Sequence, residues 1–320
     1  MRHVSAGIVG ATGYAGAELV RLLLAHPRIS LEAVVSRSRA GERLDAAHPG
    51  LLGFSDLTLQ AFDAAVLADL DVVFLATPHG AAGPLVAELE RAGAHRIIDL
   101  SAEHRHAPGW VYGQAEWHTA ELQGATRVAV PGCFATAISL ALAPFVAAGT
   151  LRGPVQCVAA TGSTGAGANP KGATHHPERF VNLKGYKVLA HQHTPEITTF
   201  LKGLGAFERL DFVPLSAPVD RGILATCFLS LSDAEAPEHT LTEAYKAHPF
   251  ARVRSGPPEL RHVRGTAFCD LWVHAEGGAV VVQAAMDNLG KGAAAHGVQC
   301  LNLAMDWGVD AGLHQPAVLP

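Results

Sequence analysis

Cysteine is scarce in this chain: 320 residues carry five, an odd number, widely spaced and without a Cys-x-x-Cys pair. That pattern suits neither a disulfide framework nor a thiolate zinc site. Runs of Lys or Arg are missing as well, and the formal charge is only -5, so the chain offers no phosphate-tracking surface for nucleic acid. No apolar stretch is long enough to span a bilayer, and the opening "MRHVSAGIVGATG" lacks the extended apolar region and cleavage site of a signal peptide. These absences point to a cytoplasmic protein whose partner is a small molecule. The 49% hydrophobic and 17% charged content is that of an ordered globular chain, long enough for two cores.

What is present falls into two styles. Over the first 130 residues short apolar runs ("VSAGIVG", "LEAVVS", "DVVFLAT", "RIIDLS", "RVAVP") alternate with helical patterns such as "AGAELVRLLLAH" and "GAAGPLVAELERAG". This alternation predicts a parallel sheet with helices on both faces. From about Pro154 onward the runs are longer, rich in Val, Thr, Leu and Phe, with few helices between them ("VQCVAATG", "GILATCFLSLS", "GAVVVQAAMDN"). They predict a mostly antiparallel sheet covered on one face. A last helical pattern, "GKGAAAHGVQCLNLAMDWG", is read as packing back on the first domain. The expected fold class is α/β: a Rossmann-type nucleotide domain over residues 1–132, completed by 288–320, and an α+β catalytic domain over 133–287.

The strongest local motif is "GIVGATGYAGAEL". Gly10, Gly13 and Gly16, with Thr12, Tyr14 and Ala15 between them, follow a strand and open a helix, where backbone amides can approach a pyrophosphate. At the end of the second strand an NAD site would place a carboxylate for the ribose hydroxyl; here stand Ser36, Arg37, Ser38 and Arg39. Hydroxyls and guanidinium groups suit a 2'-phosphate, so the expected cofactor is NADP. "LATPHGAAG", with Pro78, follows another strand and is expected to add cofactor contacts through its backbone.

In "VAVPGCFATAISLAL" Pro131 and Gly132 end a strand and an alanine-rich helix begins, which sets Cys133 at a helix N-terminus. The dipole and free amides there stabilise a thiolate and can hold an oxyanion. A proton partner is offered by "YKVLAHQHTPEITTF". His191 and His193 alternate along what reads as an extended segment, so both imidazoles would share one face, with Pro195 and Glu196 opening the next helix. By this reading either histidine could be the acid and base. The other four cysteines sit in apolar neighbourhoods and read as small buried hydrophobes. A metal site built from His191, His193 and "THH" at Thr174–His176 lacks the carboxylate or cysteine spacing to complete it, and 18 histidines make chance clustering an alternative.

"VGATGYAGAEL", "DLSAEHR", "VPGCFATA", "TGSTGAG", "HQHTPEI", "RGILAT" and "DNLGKGAA" occur in the order and at about the spacing found in the N-acetyl-γ-glutamyl-phosphate reductases, relatives of the aspartate-semialdehyde dehydrogenases. The chain resembles that family nearly end to end. The resemblance implies Cys133 as nucleophile and His193 as acid–base catalyst, with Arg105 holding the substrate. It gives His191, Glu196 and Arg221 supporting or substrate-contacting roles. Asn288, Gly290 and Lys291 lie where the family's last helix returns to the cofactor, and Gly162 of "TGSTGAG" is grouped with them. Two departures stand out. Ala168 occupies a position where many members carry arginine, which leaves Lys171, Arg179 or Lys184 to supply the charge, and Gln192 stands where arginine is common. "THHPER" resembles a lysine-pathway branch whose substrate is carried on a small acidic protein.

The function so implied is NADPH-dependent reduction of an acyl phosphate to a semialdehyde through a cysteine thioester, by a homodimer or homotetramer paired on an exposed sheet face. Two rival classes are distinguishable. A Cys-His acyl hydrolase would not need the glycine-rich loop, and an NADP-sensing binding protein would not need the Cys133 and His193 pair.

Overall fold

The computed structural model describes residues 3–78, 80–170, 172–232 and 236–318. The chain divides into two compact units, one of residues 1–131 with 293–314 and one of 132–292 with 315–320.

The first unit is built on six strands: β1 (Val4–Val9), β2 (Ile29–Val35), β3 (Val72–Leu75), β4 (Ile97–Asp99), β5 (Val111–Tyr112) and β6 (Arg127–Ala129). They lie in the order β2-β1-β3-β4-β6-β5, and every pairing is parallel. A parallel sheet covered on both faces needs strands apolar throughout, and all four residues of β3 are buried. β1 has β2 on one side and β3 on the other. The turn after β1 therefore opens at the point where strand order reverses, the place where such sheets bind ligands.

The second unit holds a seven-stranded mixed sheet: β7 (Leu151–Thr161), β8 (Lys184–Gly185), β9 (Leu210–Ser216), β10 (Ile223–Leu231), β11 (Ala251–Val253), β12 (Cys269–Glu276) and β13 (Ala279–Met286). The order is β11-β12-β13-β10-β7-β9-β8. Four neighbouring pairs are antiparallel; β7 with β9 and β11 with β12 are parallel. Burial alternates along β9 and β10, so one sheet face is packed and the other open, as the sequence pattern predicts. Cys157 and Cys227 face each other across β7 and β10 with their sulfurs 3.3 Å apart, and they are buried, as are Cys269 and Cys300.

Against the packed face lies the helix Cys133–Ala147, buried on all sides from Phe134 to Val146. Pro144 sits inside it and has no N–H for the carbonyl of Leu140. The Tyr245 hydroxyl donates to that carbonyl instead, at 2.7 Å, so the helix continues at full length without an orphaned acceptor.

Candidate active site

The glycine loop of the first unit is shaped by close backbone approach. Gly10 has φ +93°, and a Cβ there would lie 2.5 Å from the Ala76 carbonyl at the end of β3. A Cβ on Gly16 would strike the Gly10 carbonyl. The helix Tyr14–Leu24 starts after Gly13 with no side chain capping its first amides. Its N-terminus, carrying Tyr14, Ala15 and Gly16, is thus an anion cradle that a side chain would fill. Thr12 Oγ lies 3.0 Å from Ser36 Oγ, which ties this loop to the end of β2. These residues fit a dinucleotide.

At the end of β2, Arg37 and Ser38 are exposed. Arg39 is engaged locally: its Nη2 is 2.7 Å from Glu42, and it also donates to the carbonyls of Ala46 and Ala47. In the "LATPHGAAG" loop Pro78 is exposed, His79 lies outside the described residues, and the amides of Gly80 and Ala82 both donate to Glu103. Arg105 is buried, and its Nε and Nη2 donate to the carbonyls of Val130 (3.0 Å) and Leu100 (3.4 Å). The turn before it is fixed by Asp99, which is fully buried and accepts from the Ser101 amide and hydroxyl and from His104 Nδ1.

The second unit brings together most of the remaining candidates. Cys133 is the first residue of its helix, partly exposed, and follows Gly132 in extended conformation. The thiol therefore meets uncapped amides at the positive end of a 15-residue helix. A Cβ on Gly132 would press on His193 Nε2 and lie 2.5 Å from His193 Cε1, so the imidazole rests directly against the residue before the cysteine. Glu196, buried, accepts from the Gly132 amide at 2.9 Å. On the other side a Cβ on Gly292 would come 2.9 Å from Cys133 Cβ, which makes that glycine a requirement of the site that the sequence does not single out.

The His-Gln-His segment is not extended, contrary to its alternation. Gln192 is helical (φ -61°, ψ -19°), the Thr194 amide donates to the His191 carbonyl, and the helix His193–Leu204 starts two residues before Pro195. Proline fits the first turn of a helix, and Glu196 anchors that turn to Gly132 from 64 residues away. The rings meet through this turn, 4.8 Å apart and edge to face. His191 is buried among Phe134, Phe212 and Tyr186, and its Nδ1 accepts from the His193 amide at 3.2 Å. Burial first, and then the charge of Lys187, lower its pKa to about 4. His191 is neutral at neutral pH.

Three blocks distant in sequence lock together at the end of the sheet where β7 and β13 finish and β10 begins. Arg221 forms a two-pronged pair with the fully buried Asp287, Nε to Oδ2 at 2.9 Å and Nη2 to Oδ1 at 3.0 Å. Asp287 also accepts from the amides of Leu289 and Gly290. Asn288 accepts from the Gly222 amide at 2.7 Å and donates to Thr164. A Cβ on Gly162 would lie 2.5 Å from the Asp220 carbonyl, so backbone packing alone requires glycine there. Lys291 is fully buried. Of the three basic residues weighed against Ala168, Lys184 is exposed at the sheet edge, Lys171 lies outside the described residues, and Arg179 binds the ends of β7 and β9. Among the described residues no group of three His, Cys, Asp or Glu side chains could hold a metal ion.

Comparison with known proteins matches both units. Residues 5–125 match the semialdehyde dehydrogenase NAD binding domain, and residues 133–288 the semialdehyde dehydrogenase dimerisation domain. The chain is 40% identical to the N-acetyl-γ-glutamyl-phosphate reductase of Salinispora arenicola over 338 residues, covering 99% of each. It is 40% identical to that of Methanosarcina barkeri over 339 residues, covering 99% of this chain and all of the relative. Among solved structures, aspartate semialdehyde dehydrogenase II of Vibrio cholerae superposes with a TM-score of 0.74 at 15% identity, over 95% of this chain and 98% of that one. The aspartate semialdehyde dehydrogenase of Candida albicans solved with NADP gives 0.70 at 15% identity, over 97% and 99%. The fold is therefore that of the semialdehyde dehydrogenases, and by its full-length relatives the chain belongs to the N-acetyl-γ-glutamyl-phosphate reductase family.

Proposed function

We propose that this protein reduces N-acetyl-γ-glutamyl phosphate to N-acetylglutamate semialdehyde with NADPH, releasing inorganic phosphate, through a thioester on Cys133. The observation that carries this reading is the junction at Gly132: a thiol on the first residue of a long helix, with His193 against the residue before it. The Cys133 sulfur attacks the acyl carbon, a C–S bond forms, and the C–O bond to phosphate breaks with its electron pair leaving on phosphate. His193 takes the thiol proton and returns it to the departing group. Amides at the helix N-terminus stabilise the oxyanion in both the formation and the collapse of the tetrahedral species. NADPH, held by Gly10, Thr12, Gly13, Tyr14, Ala15, Gly16 and Ser36, supplies the hydride when bound. Collapse then breaks the C–S bond and regenerates the thiolate.

Glu196 fixes the Gly132 backbone through its amide, and His191 fixes the start of the histidine helix, so both act by positioning. Arg105 is read as a substrate contact. The protein is further read as a cytoplasmic homo-oligomer, a reading supported by the match of 133–288 to a dimerisation domain and by exposed Val158 and Phe228 on the open sheet face.

The test is the reverse reaction. Oxidation of the semialdehyde with NADP should require inorganic phosphate or arsenate, because only these cleave the acyl-enzyme. Cys133→Ser should bind NADPH normally and lose turnover, since an unactivated hydroxyl is a poor nucleophile at neutral pH. Near-normal activity in that variant, or full-speed oxidation without phosphate or arsenate, would return Cys133 to the status of a helix-start residue.

A further inference from the structure

The parallel strands of the first unit finish in one row. Val35, Val9, Leu75, Asp99 and Ala129, the last residues of β2, β1, β3, β4 and β6, are register partners in turn across the sheet. A dinucleotide lies along such an edge. Ser36 and Arg37 follow β2, the glycine cradle follows β1, and Thr77 and Glu103 follow β3 and β4. Neighbouring strands stand about 4.8 Å apart, so β3 and β4 carry the edge about 5 to 10 Å beyond the cradle, on the side away from Ser36. With the 2'-phosphate read at β2 and the pyrophosphate at β1, that stretch falls to the ribose on the nicotinamide side.

The helices that follow β1 and β3 differ at their first turns. Tyr14–Leu24 starts uncapped. The helix Ala82–Arg91 has Ala81 before it, which offers no capping side chain, and Glu103 serves instead: its Oε1 accepts from the amides of Gly80 and Ala82. A carboxylate at that N-terminus repels a phosphate group and leaves the pyrophosphate to the other helix. Its second oxygen is left over. Glu103 Oε2 is buried without a hydrogen-bond partner, and so is the Thr77 hydroxyl, two residues past the end of β3. Thr77 borders the cradle, since a Cβ on Gly10 would lie 3.3 Å from its amide nitrogen. Buried oxygens left unmet are costly, and a carboxylate oxygen can be met only by a donor. On a dinucleotide the donors at this distance from the pyrophosphate are ribose hydroxyls.

We infer that Glu103 Oε2, with the Thr77 hydroxyl, holds the nicotinamide-side ribose of NADPH by its hydroxyl groups and so sets where along the edge the nicotinamide stands. This rests on the reading of the glycine cradle as the dinucleotide site. Glu103→Gln keeps an oxygen for the Gly80 and Ala82 amides and puts an NH2 group in place of Oε2. It should raise the Kd for NADPH by about tenfold or more, the loss of one hydrogen bond to a charged acceptor. Adenosine 2',5'-bisphosphate, which carries the 2'-phosphate but no second ribose, should bind the variant as it binds the unmodified protein. Thr77→Val should weaken NADPH in the same selective way. The loss in Glu103→Gln should persist with the NADPH analogue that bears an acetyl group in place of the carboxamide. A Glu103→Gln variant that binds NADPH as tightly as the unmodified protein overturns the assignment. So does one that loses NADPH and the bisphosphate alike, which makes Glu103 a support of the loop only, or a loss that vanishes with the acetyl analogue, which moves the contact to the carboxamide. If Glu103→Gln does not fold, unchanged NADPH affinity in Thr77→Val overturns it equally. Failure of the bisphosphate to bind the unmodified protein is a different result, the failure of the dinucleotide reading of the cradle.

Discussion

Gly132→Ala tests the catalytic junction without altering a reacting atom. Gly132 has φ -67° and ψ 151°, a conformation any residue adopts, so the backbone imposes no penalty. The Glu196 carboxylate still receives the residue-132 amide. What changes is one methyl group, 2.5 Å from His193 Cε1 and 2.8 Å from Cδ2, where ordinary contact begins near 3.4 Å. The ring must retreat by about 1 Å, and Phe134 and His191 already stand against it. Misplacement on that scale costs about 10² in rate, or about 2.7 kcal/mol of transition-state stabilisation. The expected result is a kcat lowered about a hundredfold with NADPH affinity retained, because the glycine cradle belongs to the other unit. The pH profile of kcat should shift as well, since a displaced base titrates in a different environment. Stopped-flow measurement of NADPH oxidation, alongside fluorescence titration of NADPH, separates these effects. A variant that keeps kcat within a few-fold and an unshifted profile would show that contact between His193 and Gly132 plays no part in the chemistry.

Replacing Arg37 and Arg39 together with Ala should weaken NADP(H) binding by about tenfold or more while sparing NAD(H), and equal affinity of the unmodified protein for the two cofactors would refute the 2'-phosphate reading. His191 sets the acid limb of stability. Its folded pKa of about 4 lies below the ordinary 6.5, so its contribution is complete above pH 6.5 and is lost as pH falls toward 4, by about 3 kcal/mol in all. His191→Gln should flatten denaturant-unfolding stability across that window, and an equally steep limb would assign it to another group.

The parallel sheet and the glycine loop were legible because their signals are local. A buried parallel strand is a continuous apolar run, as in "VVFL", and the loop that follows β1 is confined by contacts with β3 that only glycine permits. Cys133 was legible for the same reason, since Pro131 and Gly132 mark a strand end and the alanine-rich run marks a helix. Where the determinant is distant, reading failed. "HQHTPEI" alternates like a strand, yet the Glu196–Gly132 hydrogen bond and the His191–His193 turn make it the start of a helix. Arg179 is held at the ends of β7 and β9, a placement that no spacing in "HHPERFVNLKG" encodes. The reading of Arg39 did not take in Glu42, three residues on, with which the structure pairs it, so Arg39 must give up a carboxylate before it can serve a phosphate.

The division of labour between the two histidines follows from their surroundings. An acid–base group must change protonation near the working pH. His191 cannot do so: aromatic rings surround it, burial holds it neutral well below that pH, and its Nδ1 is occupied by the His193 amide. A proton placed on Nδ1 would leave that amide facing a donor. Neutral His191 is therefore a fixed acceptor that sets the pitch of the first helical turn. His193, the first residue of the helix, has its ring against Gly132, which supports the proposal that it is the imidazole that exchanges a proton at Cys133. Replacing His191 with Gln, which keeps an acceptor, should accordingly lower kcat far less than replacing His193 with Gln, whose amide does not titrate. If the His191 variant proved the more damaged of the two in kcat, with its pH profile flattened, the roles would have to be exchanged.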